Sequence, residues 1–263
     1  MKHFFPLLYI YCADFHAAYA FYPILPFVYN FCKRFSILCQ SRIGINLPLL
    51  PKLHIEGNAL RRENGMQFDK TETYKNLARS FAGECQAGMR YQMIAKLAMK
   101  EKLQTLSDTI RTVAKNETFH ATQFFNKIIE KSGNRDNIDF DAGYPFHLGT
   151  LEEGLKYAAM DEKSETEEIY PAFALTAEKE GFEDIARLYK LVAAVEEQHK
   201  ILFQYLHEAV RKGTLYQCDH PVLWVCSQCG HSHVATQAWK VCPLCKAEQG
   251  YVNLHLPFDG VRE

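Results

Sequence analysis

The chain has 263 residues, long enough for one sizeable core and a small second unit. Its 30 basic and 31 acidic residues leave a formal charge of −1, which removes any overall electrostatic case for nucleic acid or an anionic membrane as partner. Four of the nine cysteines form two C-x-x-C pairs near the C-terminus, which argues for a metal knot in a reducing, cytoplasmic compartment and against a secreted disulfide framework.

Residues 1–65 differ from all that follows. "FFPLLYIYCADFHAAYAFYPILPFVYNFC" is aromatic-rich, nearly uncharged and broken by Pro6, Pro23 and Pro26. It is long enough to span a membrane, and Lys2 gives it a faint signal-peptide start. Yet it lacks a clean apolar core and a small-residue cleavage site. Three readings stand: sequence ahead of a true start at Met66, a membrane or export segment, or a real appendage. The first is favoured, because "RRENG" before Met66 can be encoded by a purine-rich run like a ribosome-binding site.

Residues 66–212 form the next unit, with four long helices from residue 70 onward. Glycine-bearing connections, "SGNRDNIDFDAGYP" and "EKEGFED", separate the second from the third and the third from the fourth. Gly181 reads as a helix terminator. Pro171 falls inside the third pattern, where it should kink the helix or unwind it locally. At core spacing the first helix presents Leu77, Phe81, Glu84, Gly88, Tyr91, Ala95 and Ala98. The second presents Leu106, Ile110, Val113, Glu117, His120, Phe124 and Ile128. The third runs Leu151, Leu155, Ala158, Glu162, Glu165, Ile169, Ala172, and the fourth Tyr189, Val192, Glu196, His199, Phe203, Leu206.

Every stripe is apolar except near its middle, where it carries carboxylate or imidazole. One E-x-x-H is common by chance, and a lone seam histidine is more often a hydrogen-bonded core residue. Four coincident seams are different, because five unpaired acids buried in one bundle would unfold it. Two helices giving Glu and two giving E-x-x-H is the ligand pattern of dinuclear carboxylate bundles. Charge supports two metals: five glutamates with two ferrous ions leave −1, and two ferric ions with an oxo bridge also leave −1.

Residues 213–263 are turn-rich and too short for a conventional core without a staple. "WVCSQCG" and "KVCPLC" place Cys226, Cys229, Cys242 and Cys245 as two knuckles of a tetrahedral four-sulfur site, which suits structural zinc or redox iron. His231 and His233, between the pairs, are expected to face solvent.

At these residues the chain resembles the rubrerythrins, mainly α proteins with a ferritin-like four-helix bundle followed by a small rubredoxin-like domain. "NLARSFAGECQAGMRY", "AKNETFH", "DEKSETEEIYPAFALTAEKEGF", "VEEQH" and the cysteine tail carry the likeness over about residues 70–255. The resemblance implies that Glu84, Glu117, His120, Glu162, Glu165, Glu196 and His199 hold two irons, with Glu165 and His120 exchanging as the redox state changes. It implies that Tyr91 and Tyr170 hydrogen-bond ligand carboxylates, and that the four-cysteine site holds one iron. The implied activity is reduction of hydrogen peroxide in oxidative-stress defence, with electrons from an external rubredoxin or NAD(P)H-linked reductase. No G-x-G-x-x-G fingerprint places the nicotinamide on this chain. The short linker after the fourth helix predicts that the knot serves a neighbouring subunit, hence a homodimer or higher oligomer. Two departures stand out: Cys85 replaces the usual serine beside Glu84, adding an oxidisable thiol near the metals, and "DEKSETEE" is more polar than the usual "GENYEWTE". The rival functions are an iron-storing ferroxidase and a scaffold with a structural zinc ribbon.

Overall fold

Apolar residues three and four apart close into one stripe on a helix, and burial of such stripes assembles four helical rods. The computed structural model describes residues 67–133 and 136–258, all within one compact unit, Ala59–Glu263. The readings of residues 1–65, with Cys12, Cys32 and Cys39, fall outside the described residues. Helices α1 (Glu72–Lys100) and α2 (Gln104–Ser132) pair through a three-residue turn. The third rod is composite: α3 (Leu151–Ser164), a π-helical turn (Glu165–Ile169) and α4 (Tyr170–Lys179). It packs on α5 (Glu183–Lys212). Among the described residues, no helix is long and apolar enough to cross a membrane.

The predicted seams of the second and fourth rods are buried throughout. In the first rod only Phe81 is half-exposed. The third seam departs after Glu165: Ile169 and Ala172 are exposed, and Tyr170, Ala174 and Ala177 are buried instead. The π turn is the cause. Tyr170 N–H bonds to the Glu165 carbonyl five residues back, so one extra residue enters the turn and the buried face moves along by one. Pro171 sits at the start of α4, where its missing N–H matters least. Gly181 ends the rod with φ +86°, as a terminator should.

Charged seam residues split the core into two apolar clusters. One gathers Leu77, Phe124, Ile185 and Tyr189, the other Ile94, Leu106, Leu155 and Phe203. The stretch between α2 and α3 is pinned along α1: Tyr144 donates to the Arg79 carbonyl at 2.9 Å, and Arg79 Nε donates to the Asp141 carbonyl at 2.9 Å.

Strands β1 (Gln217–Val225) and β2 (Ser232–Gln237) form an antiparallel pair with Trp224 opposite His233. Trp224, Ala238 and Val252 join the same cluster as Leu106 and Phe203, so this small unit docks on one end of the bundle. Thr105 donates to the Val252 carbonyl at 2.7 Å. A Cβ on Gly250 would lie 1.8 Å from the Lys102 carbonyl oxygen, so only glycine permits this approach. Gly250→Ala is therefore expected to undock the knot while leaving its four sulfurs intact. Amide exchange at Leu103–Ser107 would rise while the visible spectrum of the iron-loaded knot stayed unchanged; unchanged exchange would refute the contact.

Candidate metal centre

The helical i, i+3 spacing puts Glu117 with His120 and Glu196 with His199 on the inward faces of α2 and α5. Glu84 from α1 and Glu162 from α3 complete the belt, and all six side chains are buried. Their ligand atoms form two groups: Glu84, Glu117, His120 and Glu196 in one, Glu117, Glu162, Glu196 and His199 in the other. Within each group the atoms lie within 4.8 Å of one another. Glu117 and Glu196 belong to both.

The sharing is resolved to single oxygens. His120 Nδ1 lies 3.1 Å from Glu117 Oε2 and 2.8 Å from Glu196 Oε1. His199 Nδ1 lies 3.1 Å from Glu117 Oε1 and 2.7 Å from Glu196 Oε2. Each shared carboxylate thus offers one oxygen to each side, which is how a carboxylate bridges two cations. Yet Glu84 Oε2 and Glu162 Oε2 have no hydrogen-bond partner, and the Glu196 oxygens face only the two imidazoles. Four carboxylates and two imidazoles crowded into a dry belt are costly without counter-charges, and their ligand atoms surround two common points. The residues fit a pair of metal ions.

Two tyrosines tie the outer carboxylates crosswise. Tyr91 on α1 donates to Glu162 on α3, and Tyr170 on α4 donates to Glu84 on α1. Burial, reinforced by neighbouring glutamates, pushes both phenols well above their ordinary range, so they remain donors. Asn116, which sequence reasoning passed over although it adjoins Glu117, lies 3.2 Å from His199 Nε2 and fixes the ring that presents Nδ1 inward. Arg90 was also missed; it is buried and paired with Asp161.

Glu165 stands apart. It lies outside both groups, at the first position of the π turn, and lines a cavity with Tyr170. Burial first, then repulsion from Glu84, Glu196 and Glu117, pushes its carboxyl well up, and Arg90 opposes the shift. Cys85 faces outward and is exposed, so it does not join the centre. Burial and the Glu84 charge push its thiol up.

Burial raises the Glu84 carboxyl to about 8 despite His120, and burial with neighbouring acids raises Glu162 well above the usual range. Burial works against charging His120 and His199, but hydrogen bonds to the shared carboxylates outweigh it and carry them to about 12 and about 9. At pH 7 without metal, all four groups therefore hold a proton that cation binding must displace. Loading two divalent ions into the metal-free protein in weak buffer is expected to release on the order of four protons. A proton-neutral titration would contradict the assignment of these groups as ligands.

The knot is a second centre. Cys226 and Cys245 sulfurs are 3.7 Å apart, as are Cys229 and Cys242. A bonded disulfide needs about 2.05 Å, whereas four sulfurs at about 2.3 Å from a central ion stand about 3.8 Å apart. The two knuckles repeat one backbone pattern. Cys226 N–H donates to the His231 carbonyl and Cys242 N–H to the Ala247 carbonyl, both at 2.8 Å. The residues after each pair, Gly230 and Lys246, take φ +76° and +64°. His233 is exposed and His231 is half-buried against Trp239, so neither completes the site.

Known proteins resemble this chain. A family model described as rubrerythrin matches residues 75–213. Rubrerythrin-1 of Clostridium acetobutylicum is 35% identical over 185 residues, spanning 70% of this chain and 94% of the relative. Rubrerythrin of Porphyromonas gingivalis is 35% identical over 191 residues, spanning 73% and 94%. A solved structure of nigerythrin in a mixed-valence state aligns over 74% of this chain and 96% of its own, with 19% identity and a TM-score of 0.47.

Proposed function

The chain belongs to the rubrerythrin family of di-iron, ferritin-like proteins, and from that premise we propose that it is a non-haem iron peroxidase that reduces hydrogen peroxide to water in oxidative-stress defence. One observation carries the reading: two ligand groups share Glu117 and Glu196 with one oxygen of each turned to each side. Bound there, a pair of irons supplies Lewis acidity and two electrons. Glu117 and Glu196 hold the two positions at a fixed separation. Tyr91 and Tyr170 keep Glu162 and Glu84 oriented through their hydroxyl protons. His120 lies inside its group and Glu165 outside, an inequality that supports assigning to these two the exchange that the family resemblance implies. Glu165 lines the cavity next to Tyr170, which places a carboxyl group between that space and the metal belt.

Cys226, Cys229, Cys242 and Cys245 would hold an iron, which would relay electrons from rubredoxin or an NAD(P)H-linked reductase. Thr105 contacts the knot unit, and Glu117 lies twelve residues further along α2, about 18 Å away by helical rise. That span favours electron delivery to the centre of a second subunit and hence a homodimer. A reducing cytoplasm suits these thiolates and the free Cys85 and Cys218. An iron-storage role would leave the knot without a task. Metal analysis of the purified protein should find about three irons per chain, and adding peroxide to the anaerobically reduced protein should oxidise it with matching loss of peroxide. A reduced protein indifferent to peroxide would end the proposal.

A further inference from the structure

The cavity beside Glu165 is larger than hydrogen peroxide requires. It encloses about 380 Å³, whereas a molecule of two oxygen atoms needs roughly twice the ~30 Å³ share of a water. Its inner wall is Glu165 and Tyr170, and the Tyr170 hydroxyl donates to Glu84, so a single side chain stands between the cavity and the metal belt. Its outer wall is the stretch that crosses α1, with Tyr144 and Pro145. Ile169 and Phe173 supply an apolar flank, and Ile169 is there because the π turn rotated it out of the core seam.

Two arginines border this space, and both are already committed. Arg79 donates to Glu72, to Asn76 Oδ1 at 2.7 Å and to the Asp141 carbonyl. Arg90 is held by Asp161 and by Gln86 Oε1 at 2.9 Å. Neither has a charge to spare for an anionic guest. A cavity with a polar inner end, an apolar flank and neutralised cations fits a molecule polar at one end and apolar at the other.

We propose that this cavity admits organic hydroperoxides, ROOH with R a small neutral apolar group, and that the protein reduces them to ROH and water. The inference rests on the peroxidase reading and names a second substrate class for the same centre. The O–O bond breaks, and two electrons from the reduced metal centre, ultimately from the external donor, enter it. Two protons, drawn from solvent through the opening of the cavity, complete ROH and H₂O. The apolar R group packs against Ile169, Phe173 and Pro145 and leaves through the same opening.

Gly143 lines the cavity, and a Cβ there would meet nothing within 4 Å, so a large side chain can fill the space without displacing backbone. The test compares hydrogen peroxide with cumene hydroperoxide on the metal-loaded full chain, for the natural protein, Gly143→Phe and Ala142→Phe. The natural protein is expected to consume both peroxides, and each filling variant to lower the kcat/KM ratio of cumene hydroperoxide to hydrogen peroxide by at least about tenfold. Calorimetric titration of the oxidised protein with 2-phenyl-2-propanol, the alcohol product, should show saturable binding that Gly143→Phe abolishes. Hydrogen peroxide turnover without cumene hydroperoxide turnover would overturn this inference alone. An unchanged ratio in both variants, or no alcohol binding, would overturn the assignment to this cavity. Consumption of neither peroxide would overturn the peroxidase reading and this inference with it.

Discussion

Replacing Glu196 by alanine is expected to empty both metal positions of the bundle at once and to cut peroxide turnover by at least about a hundredfold. The size of the effect follows from sharing. Glu196 Oε1 stands 2.8 Å from His120 Nδ1 and Oε2 stands 2.7 Å from His199 Nδ1, so the truncation removes a ligand atom from each group. Glu84 belongs to one group only, and Glu84→Ala should cost chiefly the metal on the His120 side. Iron analysis separates the cases: the first variant should retain only the iron of the knot, the second one iron more. Equal losses from the two substitutions would mean that the groups are not a bridged pair.

The lesson about legibility lies in the third rod. The sequence spells out the second and fourth seams residue by residue, because an uninterrupted α-helix returns every three or four positions to the same face. The same arithmetic fails beyond Glu165, where the π turn inserts one residue and exchanges Ile169 for Tyr170. A trace of this was present in the spacing. Glu84 and Tyr91 are seven apart on α1, while Glu162 and Tyr170, their crosswise counterparts, are eight apart. The extra residue is the bulge. π turns of this kind occur frequently at functional sites, and this one turns Glu165 away from the ligand groups and toward a cavity.

Other features had no periodic signal at all. The turn between α1 and α2 has no glycine; Lys102 takes φ +62° instead, and residues in that region other than glycine leave little trace in sequence. Docking of the knot on the bundle depends on single contacts, such as Thr105 with Val252 and Gly250 against Lys102, which no pattern announces. The Arg90–Asp161 pair joins residues far apart in the chain, and a partly buried ion pair is invisible until the backbone brings its halves together. By contrast the four cysteines were fully legible, because two C-x-x-C knuckles build the same local backbone wherever they occur.

That local completeness makes the knot removable in a way that tests its role. Cys229→Ala takes away one of four converging sulfurs, and the small unit should lose its metal together with its sheet order, since a unit this size folds around the ion. The bundle keeps its own six buried ligands. A single turnover, in which chemically reduced protein meets stoichiometric peroxide, should therefore proceed within a factor of about three of the natural rate. Continuous turnover driven by an NAD(P)H-linked reductase should fall by at least about a hundredfold, because re-reduction has lost its path. The two readouts must part company for the electron-relay role to stand. If both rates survive, the knot is a structural ornament of the bundle end; if both collapse, it is needed for the bundle's own integrity rather than for delivering electrons.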